Sequence, residues 1–155
     1  MAVAPIPPGY ASVTPYLIVD AGAAAIEFYQ QAFGATELFR LEGPGNRIAH
    51  AEIRIGDSPV MLADEDGAMN PSAKKLGSTP VSFMIYVPDV DAAFARAIAA
   101  GATVRRAVAD QFYGDRTGTL VDPFGHVWSL GTHVEDVSPE EMNRRMQKLM
   151  AGDKA

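Results

Sequence analysis

Cysteine is absent from the 155 residues, which excludes disulfides, thiolate metal sites, iron–sulfur clusters and a cysteine nucleophile. Basic residues are the minority charge, with 13 Lys and Arg against 19 Asp and Glu, for a net charge of −6. An acidic chain without a basic stripe suits no phosphate backbone, so no nucleic-acid partner is expected. Its clustered cations, Arg144, Arg145 and Lys148, read as the solvated face of a C-terminal helix. Long apolar runs are missing too: no stretch reaches the ~20 residues of a membrane helix, so no membrane partner is expected. The N-terminus lacks the basic region of a leader, and Pro5, Pro7, Pro8 and Pro15 break any apolar helix there. Residues 1–12 therefore read as an irregular arm on a cytoplasmic protein. P-loop, dinucleotide-binding glycines, nucleophile elbow and HExxH are all lacking, and GPGN (43–46) reads as a hairpin turn.

What is there repeats. VTPYLIVDAGAAAIEFYQQAFGATEL (13–38) lies over VSFMIYVPDVDAAFARAIAAGATVRR (81–106). Each begins with a run rich in β-branched and aromatic residues, Val13 to Val19 and Val81 to Val87, and so predicts a strand. An Asp and an Ala-rich amphipathic stretch follow, ending in Gly-Ala-Thr, with Gly34 and Gly101 placed as helix C′ residues of positive φ. The offset is 67 (101 − 34), and it also lays AEIRIGDSPVMLAD (51–64) on GTLVDPFGHVWSLG (118–131). Two strand–helix–strand–strand–strand units are predicted, at residues 13–65 and 81–135, joined by a polar linker at 66–80. At 136–155 a helix and tail follow: Ser138 as N-cap, Pro139 at N1 and Glu141 at N3 form a capping box. Met142, Met146 and Met150 recur there at helical spacing, as packing or interface residues.

A doubled βαβββ unit with FY in the first helix, GAT after each helix and DP·G before the last strand resembles the vicinal oxygen chelate superfamily. That group holds glyoxalases, bleomycin-resistance proteins and extradiol dioxygenases. IAHAEIRIGDSPVMLADE (48–65) and DQFYGDRTGTLVDPFGHVWSLGTH (110–133) are most similar to its PhnB-like branch. The resemblance implies an α+β fold, two tandem βαβββ modules in a mixed curved sheet. Helices would cover the convex face and the ligand would lie in the cup, with a C-terminal helix appended. It also implies a homodimer. Metal-using members carry His or Gln early in the first strand of each module and Glu in the middle of the last. The matching positions here are Thr14, Ser82, Ser129 and, by the offset, Leu62, none of which suits a divalent metal. No metal or other cofactor is expected.

Alternation along strands sorts the remaining candidates. In RIAHAEIRI (47–55), Ala49, Ala51, Ile53 and Ile55 would pack on helices, leaving Ile48, His50, Glu52 and Arg54 in the cup. Either that face is simply wet, or Arg54 pairs an anionic substrate while His50 or Glu52 moves a proton. The same alternation puts Thr14, Tyr16, Ile18, Ser82, Met84, Tyr86, Thr117, Thr119, Val121, Val127, Ser129, Gly131 and His133 in the cup, and Trp128 in the core. Phe112 and Tyr113 either anchor their loop or close over a ligand.

Three readings follow: a metal-free binder of an antibiotic or small metabolite, an isomerase-, lyase- or glyoxalase-type enzyme using His50 and Glu52, and a structural dimer or complex subunit. The histidines of VDPFGHVWSLGTH (121–133) cannot share a metal in one cup, being about 20 Å apart if extended. His126 is expected at the surface of a turn and His133 at the cup's edge.

Overall fold

The computed structural model describes residues 3–152. The first module runs β1 (Tyr16–Val19), α1 (Gly22–Phe33), β2 (Thr36–Glu42), β3 (Ile48–Ile55) and β4 (Ser58–Asp64). A short helix α2 (Ala73–Leu76) precedes the second, which runs β5 (Ser82–Tyr86), α3 (Val90–Ala99), β6 (Thr103–Asp110), β7 (Asp115–Val121) and β8 (Val127–His133). Helix α4 (Pro139–Met150) follows. Each module forms one mixed sheet, in the orders β1-β4-β3-β2 and β5-β8-β7-β6. Its first strand pairs in parallel with its last, and the other neighbours are antiparallel. This is the α+β architecture of two tandem βαβββ modules with a C-terminal helix.

Helical period places Ala25, Ile26, Tyr29 and Ala32 of α1 on one buried face, and Val90, Ala93, Phe94 and Ala97 of α3 on another. The two helices pack on each other and on the sheets. Under them lie Leu17, Ile53, Leu62, Leu120, Trp128 and Leu130, each 2% exposed or less. Burying a side chain of this size contributes ~1.5–3 kcal/mol. The opposite face of each sheet carries exposed side chains, among them Tyr16 and Phe39 on the first and Met84 and Tyr86 on the second. Asp89 caps α3 by accepting from Ala92 N–H at 3.0 Å. Helix α1 has no such residue at its own start; Asp64 of β4 accepts from Gly22 N–H at 2.6 Å and from Ile48 N–H at 2.7 Å instead. Ser138 caps α4 as expected, accepting from Glu141 N–H at 3.2 Å.

Three expectations need correction. The offset of 67 does not hold throughout: it is 68 between β1 and β5 (84 − 16) and fails again at the last strands. Four residues separate the paired Arg54 and Pro59, whereas five separate Val121 and Val127. The extra residue makes the offset 68 in β4 and β8 (129 − 61), so Met61, not Leu62, matches Ser129. A one-residue slip reverses the face of every side chain. Leu62 accordingly lies in the helix-side core, fully buried. In β3 a bulge between Leu41 and Glu42 of β2 leaves Ala49 unpaired. Ile48 thereby turns into the core and Ala49 outward. Ile48 packs on Gly22, where an added Cβ would lie 2.7 Å from its own. Between the modules, α2 is capped by buried Ser72 accepting from Lys75 N–H at 3.2 Å, which no expectation addressed. Finally, β1 begins at Tyr16, because Pro15 offers the ladder no N–H and lends only its carbonyl, to Met61.

Candidate functional site

On the open face of the first module, pairing aligns Tyr16, Met61, Glu52 and Phe39 across four strands. His50 lies one row along, 5.6 Å from the Tyr16 ring and 6.4 Å from that of Phe39, centre to centre. The Tyr16 hydroxyl and His50 Nδ1 are 2.8 Å apart, and His50 Nε2 is 3.2 Å from Glu52 Oε1. Tyr10 donates its hydroxyl to Glu52 Oε2. The result is a hydrogen-bonded chain, Tyr16–His50–Glu52–Tyr10. The bond from Tyr10 holds the Glu52 carboxyl below the usual range; partial burial opposes it and His50 adds to it. Desolvation, then the Glu52 charge, pushes the Tyr16 phenol up. Arg54 donates to the Asp57 carbonyl at 3.2 Å.

Tyr10 is a residue the sequence did not single out, because an irregular arm carries no periodicity to read. Pro8 and Gly9 occupy the centre of a turn closed by Tyr10 N–H donating to the Pro7 carbonyl at 3.1 Å. Gly9 has φ +83°, as the third position of a type II turn requires. The turn aims Tyr10 at Glu52. The arm also walls a cavity of about 940 Å³ between the modules, with Pro59, Phe83, Tyr86 and Trp128 opposite.

The second module carries its own chain. Tyr86 donates to Asp115 Oδ2 at 2.7 Å, Asp115 Oδ1 is 2.7 Å from His133 Nδ1, and His133 Nε2 is 3.0 Å from Asp136. Bonds to Asp136 and Asp115 raise the His133 imidazole above its ordinary value. Burial pushes Asp115 up, but the bonds from His133 and Tyr86 outweigh it and leave the carboxyl low. Asp115 lies two residues before Thr117 on the same face, so starting β7 one residue earlier would have found it. Register puts Ser82, Met84, Tyr86, Thr117, Thr119, Val121, Val127, Ser129, Gly131 and His133 on this open face. Thr119 Oγ1 and Ser129 Oγ are 3.0 Å apart beside a pocket of about 580 Å³. Thr117 is buried, its hydroxyl 3.4 Å from that of Tyr113. Phe112 and Tyr113 are half-buried and meet edge to face at 5.2 Å, with the Phe112 carbonyl accepting from Arg145 at 3.2 Å.

VDPFGH is a structural knot. Asp122 Oδ1 accepts from the N–H groups of Phe124 and His126, both at 2.9 Å. Its Oδ2 accepts from Tyr29 hydroxyl and Trp128 Nε1, both at 2.8 Å. His126 is buried, not at the surface as expected, because the turn folds inward around this carboxylate. Its Nδ1 has no hydrogen-bond partner, and burial lowers its pKa, with Asp122 opposing.

A family model described as Glyoxalase/Bleomycin resistance protein/Dioxygenase superfamily matches residues 10–130. The chain belongs to the glyoxalase/bleomycin resistance protein/dioxygenase superfamily. An uncharacterized Mycobacterium tuberculosis protein is 46% identical over 139 residues, spanning 87% of this chain and 82% of that one. TioX from Micromonospora sp. ML1 superposes with a TM-score of 0.64 at 26% identity, covering 80% of this chain and 99% of its own. The PhnB protein of Bacillus cereus shares the fold, with a TM-score of 0.64 at 17% identity over 79% of this chain and 99% of that one.

The positions that the resemblance would give to metal ligands are Thr14 and Ser82 and, with the register corrected, Met61 and Ser129, which pair with Tyr16 and Met84. Three hydroxyls and a thioether do not fit a divalent metal, which takes imidazole or carboxylate. Ser129 instead bonds Thr119.

Proposed function

We propose that the protein is a metal-independent small-molecule-binding member of the superfamily, taking an antibiotic or small metabolite on its open faces. The observation that carries this reading is the donor set Thr14, Met61, Ser82 and Ser129 at the metal positions, beside faces lined by Tyr16, His50, Glu52, Met84 and Tyr86. Mixed aromatic and polar linings of this kind suit small organic ligands. Native mass spectrometry and elemental analysis of the untagged protein test it together. A co-purified organic molecule without metal is the expected result; a stoichiometric, tightly held divalent metal overturns it. We also expect a cytoplasmic protein, and a homodimer because β1 and β5 each leave one edge unpaired within their sheets. Light scattering after gel filtration checks the dimer.

The Tyr16–His50–Glu52–Tyr10 chain favours a second reading, an isomerase-, lyase- or glyoxalase-type enzyme using His50 and Glu52 as acid and base. His50→Ala separates a role at the ligand from a purely structural one. Under either reading it weakens ligand binding and leaves the melting temperature within a few degrees; unchanged binding with a large loss of stability makes His50 structural.

A further inference from the structure

Arg105 and Arg106 are adjacent in β6, and regular alternation would send them to opposite faces. They nevertheless both line the 580 Å³ pocket on the open face of the second module. The cause is visible in the ladder: the pairing of β6 with β7 slips between Val104 and Arg106, and again between Arg106 and Ala109. A bulge re-aims side chains in this way, and bulges concentrate beside functional sites. The other polar walls are the hydroxyl residues Thr79, Ser82, Thr119 and Ser129, and no carboxylate contributes to the lining. Among the described residues neither arginine lies in an ion pair. Arg40, Arg116, Arg144 and Arg145, by contrast, are each engaged by carboxylates. In a chain of net charge −6, a pocket with two uncompensated guanidiniums and several hydroxyls is a local reversal of sign.

We propose that this pocket binds the tetrahedral oxyanion of a small organic phosphate or phosphonate, Arg105 and Arg106 pairing its oxygens while the Ser82 hydroxyl and one hydroxyl of the bonded Thr119–Ser129 pair donate to the remainder. Guanidinium forks and hydroxyls match such a group, and charge-assisted bonds are the strong ones. The inference rests on the reading of the open faces as ligand-binding and names the chemistry of one of them.

The test titrates the full-length protein with phenyl phosphate, using benzoate and benzyl alcohol as comparison probes, by calorimetry at low salt. Phenyl phosphate is expected to bind tighter than benzoate, and benzyl alcohol not measurably. Arg105→Gln and Arg106→Gln should each weaken phenyl phosphate about tenfold, the size of one lost charge-assisted bond. The double variant should abolish binding with an unchanged melting temperature, since both residues are exposed. No binding of phenyl phosphate at millimolar concentration, benzoate binding equal or tighter, or a double variant within twofold of the wild type overturns the oxyanion pocket. A co-purified ligand retained by the double variant likewise removes the arginines from recognition while leaving the broader binding reading intact. A resident metal has the reverse effect, removing the metal-free reading while the arginine titration stands on its own result.

Discussion

Among single residues, Asp122 carries the largest structural stake. Its carboxylate satisfies two backbone N–H groups, a phenol and an indole, all in the interior. Asp122→Ala orphans those donors, and each unsatisfied buried group costs ~1–3 kcal/mol. We expect a stability loss of at least about 3 kcal/mol by denaturant titration, with Asp122→Asn intermediate. The histidines pull stability in opposite directions with pH. Burial lowers the folded His126 pKa, so the unfolded chain protonates first; its contribution is complete above about 6.5 and is lost as pH falls below that. Bonds to Asp136 and Asp115 raise the folded His133 pKa, so its contribution is present below about 6.5 and lost as pH rises through the folded value. His126→Gln should flatten the fall in melting temperature between pH 7 and 5, and His133→Gln should steepen it. Melting curves across that interval decide both signs.

At the scale of elements, strand ends and turn lengths govern which residues meet. Gly114 has φ +96°, and a Cβ there would lie 2.1 Å from the Glu135 carbonyl oxygen. Gly114→Ala should therefore displace the β8 exit and with it the His133–Asp136 contact, at a cost above about 2 kcal/mol. Loss of the raised His133 titration by NMR would report it. The N-terminal turn makes a second element-scale case. Tyr10→Phe removes the donor to Glu52, so the Glu52 titration should move up toward the ordinary range and amide exchange in the arm should quicken. An unmoved Glu52 titration would mean that Tyr10 does not engage it in solution. These elements also show what could be read in advance. The β–α–β–β–β order, the capping box at Ser138 and the helix ends at Gly34 and Gly101 follow from local chemistry: hydrophobic period, a capping hydroxyl, and glycine where φ is positive. Most of the open-face residues followed from alternation. Leu62 and Ile48 did not, because one inserted turn residue and one bulge each reverse alternation. Arg105 was hidden for the same reason. Tyr10 was hidden because only tertiary placement brings an aperiodic arm over β3.

Across the whole molecule, the two modules share one interior. Trp128 of β8 lies 5.5 Å from Tyr29, 4.9 Å from Phe33 and 4.7 Å from Phe83, ring centre to ring centre. Phe124 lies 6.1 Å from Phe28. Trp128→Ala should cost ~3–5 kcal/mol and melt both modules in one transition. Two separate transitions by calorimetry would show that the modules fold independently. The Tyr29–Asp122 bond has a further consequence for how copies of this chain can trade parts. It ties the helix of one half to the turn of the other, in a place closed to water. Any exchange of modules between two chains must either rebuild that bond in trans or strand a carboxylate in the interior. Swapped and unswapped assemblies are then equal in contacts but separated by a barrier, and subunits labelled apart and mixed should exchange only as fast as the chain unfolds.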